Sequence, residues 1–232
     1  MYLARLTAAL VLALGCASAP PKPAASDAAA PSVAAAETTT VAPNAAPAPL
    51  ATLSGQRIAL LPVHYFRALD TLGLSSGLTR PNDYLAQLDA EIRFALEDRG
   101  VAKQWVMPAD LVRAAKRNPM HTADPTSLAA EALRAGVRRR DAQLPDPLGT
   151  QLRSIAAIAQ TRFLLFPVEL RLENATTGGG GRAILRVALL DSRMNQVRWA
   201  GEVSTELAST PDTQVAASLA SRLADLISPS SR

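Results

Sequence analysis

The chain has 232 residues, 19% of them charged, and a formal net charge of +4. One cysteine excludes an intrachain disulfide, and two histidines leave nothing from which to build a His/Cys metal cluster. The mild basic excess is no nucleic-acid footprint, and the length after residue 54 suits one domain with a sizeable core.

Met1 to Arg5 is a short start with one positive charge, and Leu6 to Leu14 is apolar apart from Thr7. A charged start, a short apolar run and a small residue before a cut describe a secretory signal peptide over residues 1–15. The run is too short to span a bilayer, which needs about 20 apolar residues. Its ending, Leu12-Ala13-Leu14-Gly15-Cys16, resembles the bacterial lipobox. That resemblance implies that Cys16 is lipidated and begins the mature chain. Two or three acyl chains, at about 0.8 kcal/mol per buried methylene, would anchor it durably. Ala17 after the cysteine implies, by the same resemblance, the outer membrane rather than the inner, with the chain facing the periplasm.

Residues 16–54 are alanine, proline, serine and threonine with few charges and no aromatic residue. Pro20, Pro21, Pro23, Pro31, Pro43, Pro47 and Pro49 recur too often for a helix, since an interior proline costs about 3 kcal/mol. Large apolar side chains are scarce, so the tract is expected to be a disordered tether, on the order of 100 Å when extended. Arg5 and Lys22 cancel Asp27 and Glu37, which leaves the whole excess of +4 on the domain expected over residues 55–228. Residues 229–232 are expected to form a flexible tail.

The apolar run Arg57-Ile-Ala-Leu-Leu-Pro-Val63 predicts a strand buried on both faces. After a loop over 73–81, Asn82 is expected to cap a helix whose Leu85, Leu88, Ile92 and Leu96 share a face, ended by Gly100. A short strand is expected over Lys103 to Met107, then a helix from Pro108 to about Arg117, and another from Ser127 to Arg139. Pro147 opens a helix with Leu148, Leu152, Ile155 and Ile158 inward. Phe163 to Glu173 predicts a strand that starts apolar and then alternates. There Val168, Leu170 and Leu172 stand against Glu169, Arg171 and Glu173, as for a half-exposed face. Arg182 to Leu190 and Val197 to Leu207 predict two more strands around the turn Asp191–Asn195, with Val197, Trp199, Val203 and Leu207 sharing one face. Thr210-Pro211-Asp212 opens a last helix carrying Val215, Leu219, Leu223 and Leu226 inward, with Thr210 as its cap. The order predicts an α+β domain with one mixed sheet.

Two stretches, "GQRIALLPV" and "RVALLDSRMNQVRWAGEV", resemble the bacterial envelope group that contains the TolB N-terminal domain, the curli secretion protein CsgG and the penicillin-binding-protein activator LpoB. The likeness lies in strand order and apolar motifs, with no catalytic residue to carry over. Asp191 and Trp199 match it as turn-forming and packing residues. The Asn174–Gly181 insertion is too short for a pore-forming hairpin, and the lipoprotein layout resembles LpoB most.

Catalytic chemistry has little to draw on. No Gly-x-Ser-x-Gly elbow occurs, and Gly178 to Gly181 lacks the Lys-Ser/Thr of a phosphate-binding loop. His64 is expected to be a hydrogen-bonded structural residue, and Glu91, Glu97 and Asp98 a solvated helix face. No catalytic residue, metal or cofactor is implied. Arg138, Arg139 and Arg140 form the densest charge, readable either as a solvated helix end or as an interaction patch for lipid head groups, an acidic partner or the cell wall. The expectation is a non-catalytic envelope lipoprotein with a membrane anchor and an envelope protein partner, in cell-wall synthesis or envelope assembly. A secretion or transport accessory and a small-ligand carrier or sensor are the alternatives.

Overall fold

The computed structural model describes residues 48–136, 140–175 and 180–228. The signal peptide, Cys16, the tether up to residue 47, Arg138, Arg139, residues 176–179 of the glycine-rich turn and the tail lie outside them. The described part is α+β around one mixed sheet. Strands β1 (Ile58–Leu60) and β2 (Phe66–Ala68) lie end to end and both run parallel to β3 (Phe163–Asn174). An antiparallel meander then takes β3 to β4 (Gly181–Asp191) and β5 (Gln196–Leu207).

Each sheet face is covered by helices, which is why β1 and the first half of β3 read as unbroken apolar runs. On one face, α1 (Pro81–Asp98) and α5 (Thr213–Asp225) bring Leu88, Ile92, Leu96, Leu219 and Leu223 onto Leu165, Leu170 and Leu185. On the other, α2 (Pro108–Arg117) and α4 (Leu148–Ala159) bring Leu111, Leu148, Leu152 and Ile155 onto Leu164, Phe166 and Leu190. The short helix α3 (Glu131–Arg134) adds Leu133 to that second layer.

Helix α1 starts one residue before the expected cap. Pro81 takes the first turn, where its missing N–H costs nothing, and no side chain caps the end. At α5 the cap is Asp212, not Thr210, because the Asp212 side chain accepts the Val215 N–H at 3.0 Å. The expected strand over Lys103 to Met107 is instead a 3-10 turn at Ala102–Gln104 followed by a single bridge from Val106 to Ala59. Among the described residues of the expected helix from Ser127 to Arg139, Glu131–Arg134 alone are α-helical.

Two β-bulges change which side chains face which layer. In β3 the register shifts between Pro167 and Glu169, so Val168 faces the α4 layer while Leu170 and Leu172 face the α1–α5 layer. In β5 the extra residue is Arg198, which sends Val197 to the α4 layer and Trp199, Val203 and Leu207 to the other. The expected single faces of Val168, Leu170 and Leu172, and of Val197, Trp199, Val203 and Leu207, are thus each broken by one residue.

The packed structure takes in residues expected to belong to the tether. Leu50 and Leu53 are 1% and 2% exposed in the α1–α5 layer, and the Leu50 N–H donates to the Leu226 carbonyl at 2.8 Å. Leu50→Ala is therefore expected to cost about 2–3 kcal/mol in urea denaturation, the usual range for a truncated core leucine. A cost under ~0.5 kcal/mol would mean that the segment before Gly55 does not hold to the domain.

Candidate functional site

Past the two bulges, the α3 side of the sheet becomes ionic. Glu169, Arg186 and Glu202 stand side by side on β3, β4 and β5, and Glu173, Arg182 and Glu206 repeat the row further along. Cross-strand neighbours of opposite charge attract, so the rows support the register. Glu169 is fully buried. Arg67 Nε lies 3.2 Å from one of its oxygens, and Arg171 and Arg186 Nη1 lie 3.7 and 3.8 Å from the other. Arg186 also donates to Glu202 Oε1 from Nε and Nη2 at 3.0 and 2.9 Å, and to the Arg134 carbonyl. For Glu202, burial raises the carboxyl, and the Arg186 and Arg171 guanidiniums outweigh it and hold the group below the usual range. This face is not the wet one the alternation suggested. The Arg171 and Arg186 side chains are only 11% and 12% exposed, because the arginine stems lie along the sheet while their heads meet carboxylates.

The other residues singled out by sequence are occupied locally. Asp191 is buried and makes the turn: Oδ1 accepts the Arg193 and Met194 N–H groups at 3.1 and 3.2 Å, and Oδ2 accepts Arg162 Nε at 2.9 Å. Trp199 is half-buried, its ring seated over Gly201, where an added Cβ would come within 2.4 Å of the indole. His64 Nε2 lies 2.9 Å from the Leu128 carbonyl and its ring meets Phe166 edge-on; burial lowers its pKa against that bond. His121 is exposed. Arg140 is exposed, with Nε 3.9 Å from Asp141. Among the described residues, no three His, Cys, Asp or Glu stand together to hold a metal ion. Nor is any described helix long and apolar enough to cross a membrane.

A concave feature with apolar walls lies at the β1 edge of the sheet. Helix α1 packs on one face and α2 on the other, and the chain leaves β1 between them through Pro62 and Val63. Ala86, Ala90 and Arg93 on α1 face Ala109, Val112, Arg113 and Lys116 on α2, across a groove of about 520 Å³ floored by Pro62, Met107 and Pro108. Both sets follow helical spacing, and the short alanine side chains on each wall leave the space between the helices unfilled. Asp89 stands inside. Its Oδ1 accepts the Val63 N–H at 2.8 Å, and burial, opposed by that bond, pushes the carboxyl up to about 7. Sequence reading passed over Asp89, although a signal was present: Leu85 and Ile92, four residues before and three after, place it on the buried flank of α1.

No family model matches the chain, and no curated protein does. Solved structures similar to it include the LpoB C-terminal domain from Salmonella enterica, with a TM-score of 0.37 at 12% identity over 66% of this chain and 83% of that one. The PelC dodecamer from Paraburkholderia phytofirmans gives 0.37 at 16% over 78% and 91%, and lipoprotein GNA1162 from Neisseria meningitidis 0.32 at 17% over 67% and 84%. With TM-scores below 0.5, these likenesses decide nothing about family or function.

Proposed function

We propose that the chain is a non-catalytic bacterial envelope lipoprotein, held by lipid on Cys16 in the outer membrane, whose α+β domain faces the periplasm and binds a protein partner in cell-wall synthesis or envelope assembly. The observation that carries this reading is the leader ending Leu12-Ala13-Leu14-Gly15-Cys16, followed at once by an alanine- and proline-rich tract and then one α+β domain. A lipid anchor, a spacer and a small domain suit a protein that must reach a partner across a gap. The ionisable groups on the α3 side of the sheet are spent on each other in ion pairs, which supports a scaffold role over acid–base chemistry.

Cys16→Ser tests the anchor, because serine offers no thiol for a thioether-linked diacylglycerol. The variant is expected to lose palmitate-analogue labelling, to run as a larger unprocessed band, and to leave the melting of the soluble domain unchanged. Wild-type chain that takes up no label would overturn the lipoprotein reading. Crosslinking in cells then reads the partner: a cell-wall synthase or assembly factor supports the proposal, and self-association into rings favours a secretion accessory.

A further inference from the structure

We propose that the groove between α1 and α2 is the docking site for an acidic segment of the partner, which sets an apolar side chain between Ala90 and Val112 and carboxylates toward Arg113 and Lys116. This deepens the reading of the domain as a protein-binding module and rests on it. The walls supply the apolar part, and Phe94, one turn beyond Ala90 on α1 and outside the lining itself, is 67% exposed. An aromatic ring left in water beside an apolar groove is the kind of side chain that interfaces bury.

Charge sets the sign of the occupant. Lys116 makes no ion pair among the described residues. Arg113 pairs with Asp110 on its own helix at 2.7 Å, and Arg93 with Glu97 at 2.8 Å, Asp110 adding a longer-range attraction to Arg93. All four of those side chains are about half exposed or more, so the pairs are weak and exchange readily for an incoming carboxylate. Asp89 is the carboxyl inside the groove. Arg93 follows it on α1, Arg113 and Lys116 stand on α2, and Val63 N–H and Thr126 complete the groups around it. With Asp89 protonated, the charges of the lining are Arg93, Arg113 and Lys116, two of them balanced by the rim carboxylates Glu97 and Asp110. When Asp89 ionises it adds a negative charge that opposes an acidic ligand. Binding should therefore be tighter below neutral pH and weaken as pH rises through about 7.

The test selects short random peptides displayed on phage against the full chain in detergent. Expected are sequences with Asp or Glu flanking Leu, Phe or Trp. Binding of a selected peptide, read by fluorescence polarisation, should fall about tenfold or more in the Arg113→Glu/Lys116→Glu variant. It should also weaken several-fold from about pH 6 to about pH 8, a dependence that Asp89→Asn abolishes. Failure to enrich acidic peptides, or binding that ignores the double variant, overturns the groove as the site. So does loss of the double variant's affinity for anionic vesicles in place of peptides, which would make the groove a lipid surface. None of these outcomes touches palmitate labelling of Cys16 or in-cell crosslinking of a partner elsewhere on the domain, so the two proposals fail separately.

Discussion

Glu169→Ala is expected to destabilise the domain by about 3–5 kcal/mol, the range for removing one partner from a buried ionic cluster. The carboxylate is fully buried and faces three guanidiniums at 3.2 to 3.8 Å. Without it, the Arg171 and Arg186 side chains, 11% and 12% exposed, keep Glu202 as a shared partner but lose the charge between them. Arg67 is the contrasting control. Its side chain is 44% exposed and can turn to water, so Arg67→Ala should cost under about 1 kcal/mol. Urea denaturation midpoints at neutral pH read both. Equal, small effects would mean that the face is wet after all and that the row is a surface ladder.

Glu169 also shows where the sequence ran out. Periodicity placed β1, β3, β4, β5 and the long helices, because Leu88, Ile92 and Leu96, or Leu219 and Leu223, carry a face by spacing alone. The same reading missed β2 and expected a strand over Lys103–Met107 where a 3-10 turn stands. It failed at the bulges, since one extra residue exchanges every later side chain between layers and leaves composition untouched. Pro167 was a usable signal in β3: a strand residue without an N–H favours an edge or a bulge. No comparable marker flags Arg198 in β5. The groove had no sequence signature, because its walls meet only once α1 and α2 lie on opposite faces and the chain leaves β1 between them. Leu50 and Leu53 were lost for another reason. Two leucines among prolines and alanines carry no period, and only their contacts with the α1–α5 layer reveal them as core.

Asp89→Asn is expected to stabilise the domain, and by more the higher the pH. Burial raises this carboxyl from 3.8 to about 7. A raised carboxyl means that the folded state binds the proton more tightly than the unfolded chain. There is no difference below about pH 4, where both states are protonated. Stability is then lost progressively as pH rises to about 7 and stays lost above it. With each pH unit worth about 1.4 kcal/mol, the full penalty is about 4 kcal/mol as an upper figure, since the open groove lets water relieve part of it. Asparagine can accept the same Val63 N–H and carries no charge, so it removes the penalty without removing the bond. Melting of the two proteins should coincide near pH 4 and diverge toward pH 8, the variant melting higher. Curves that stay parallel across that range would show that Asp89 titrates as an ordinary exposed carboxyl. Divergence would show that the fold carries an acid it does not need at this position. The bond that acid accepts from Val63 is open to a neutral amide, so what remains for its titration to serve is the charge of the groove in which it stands.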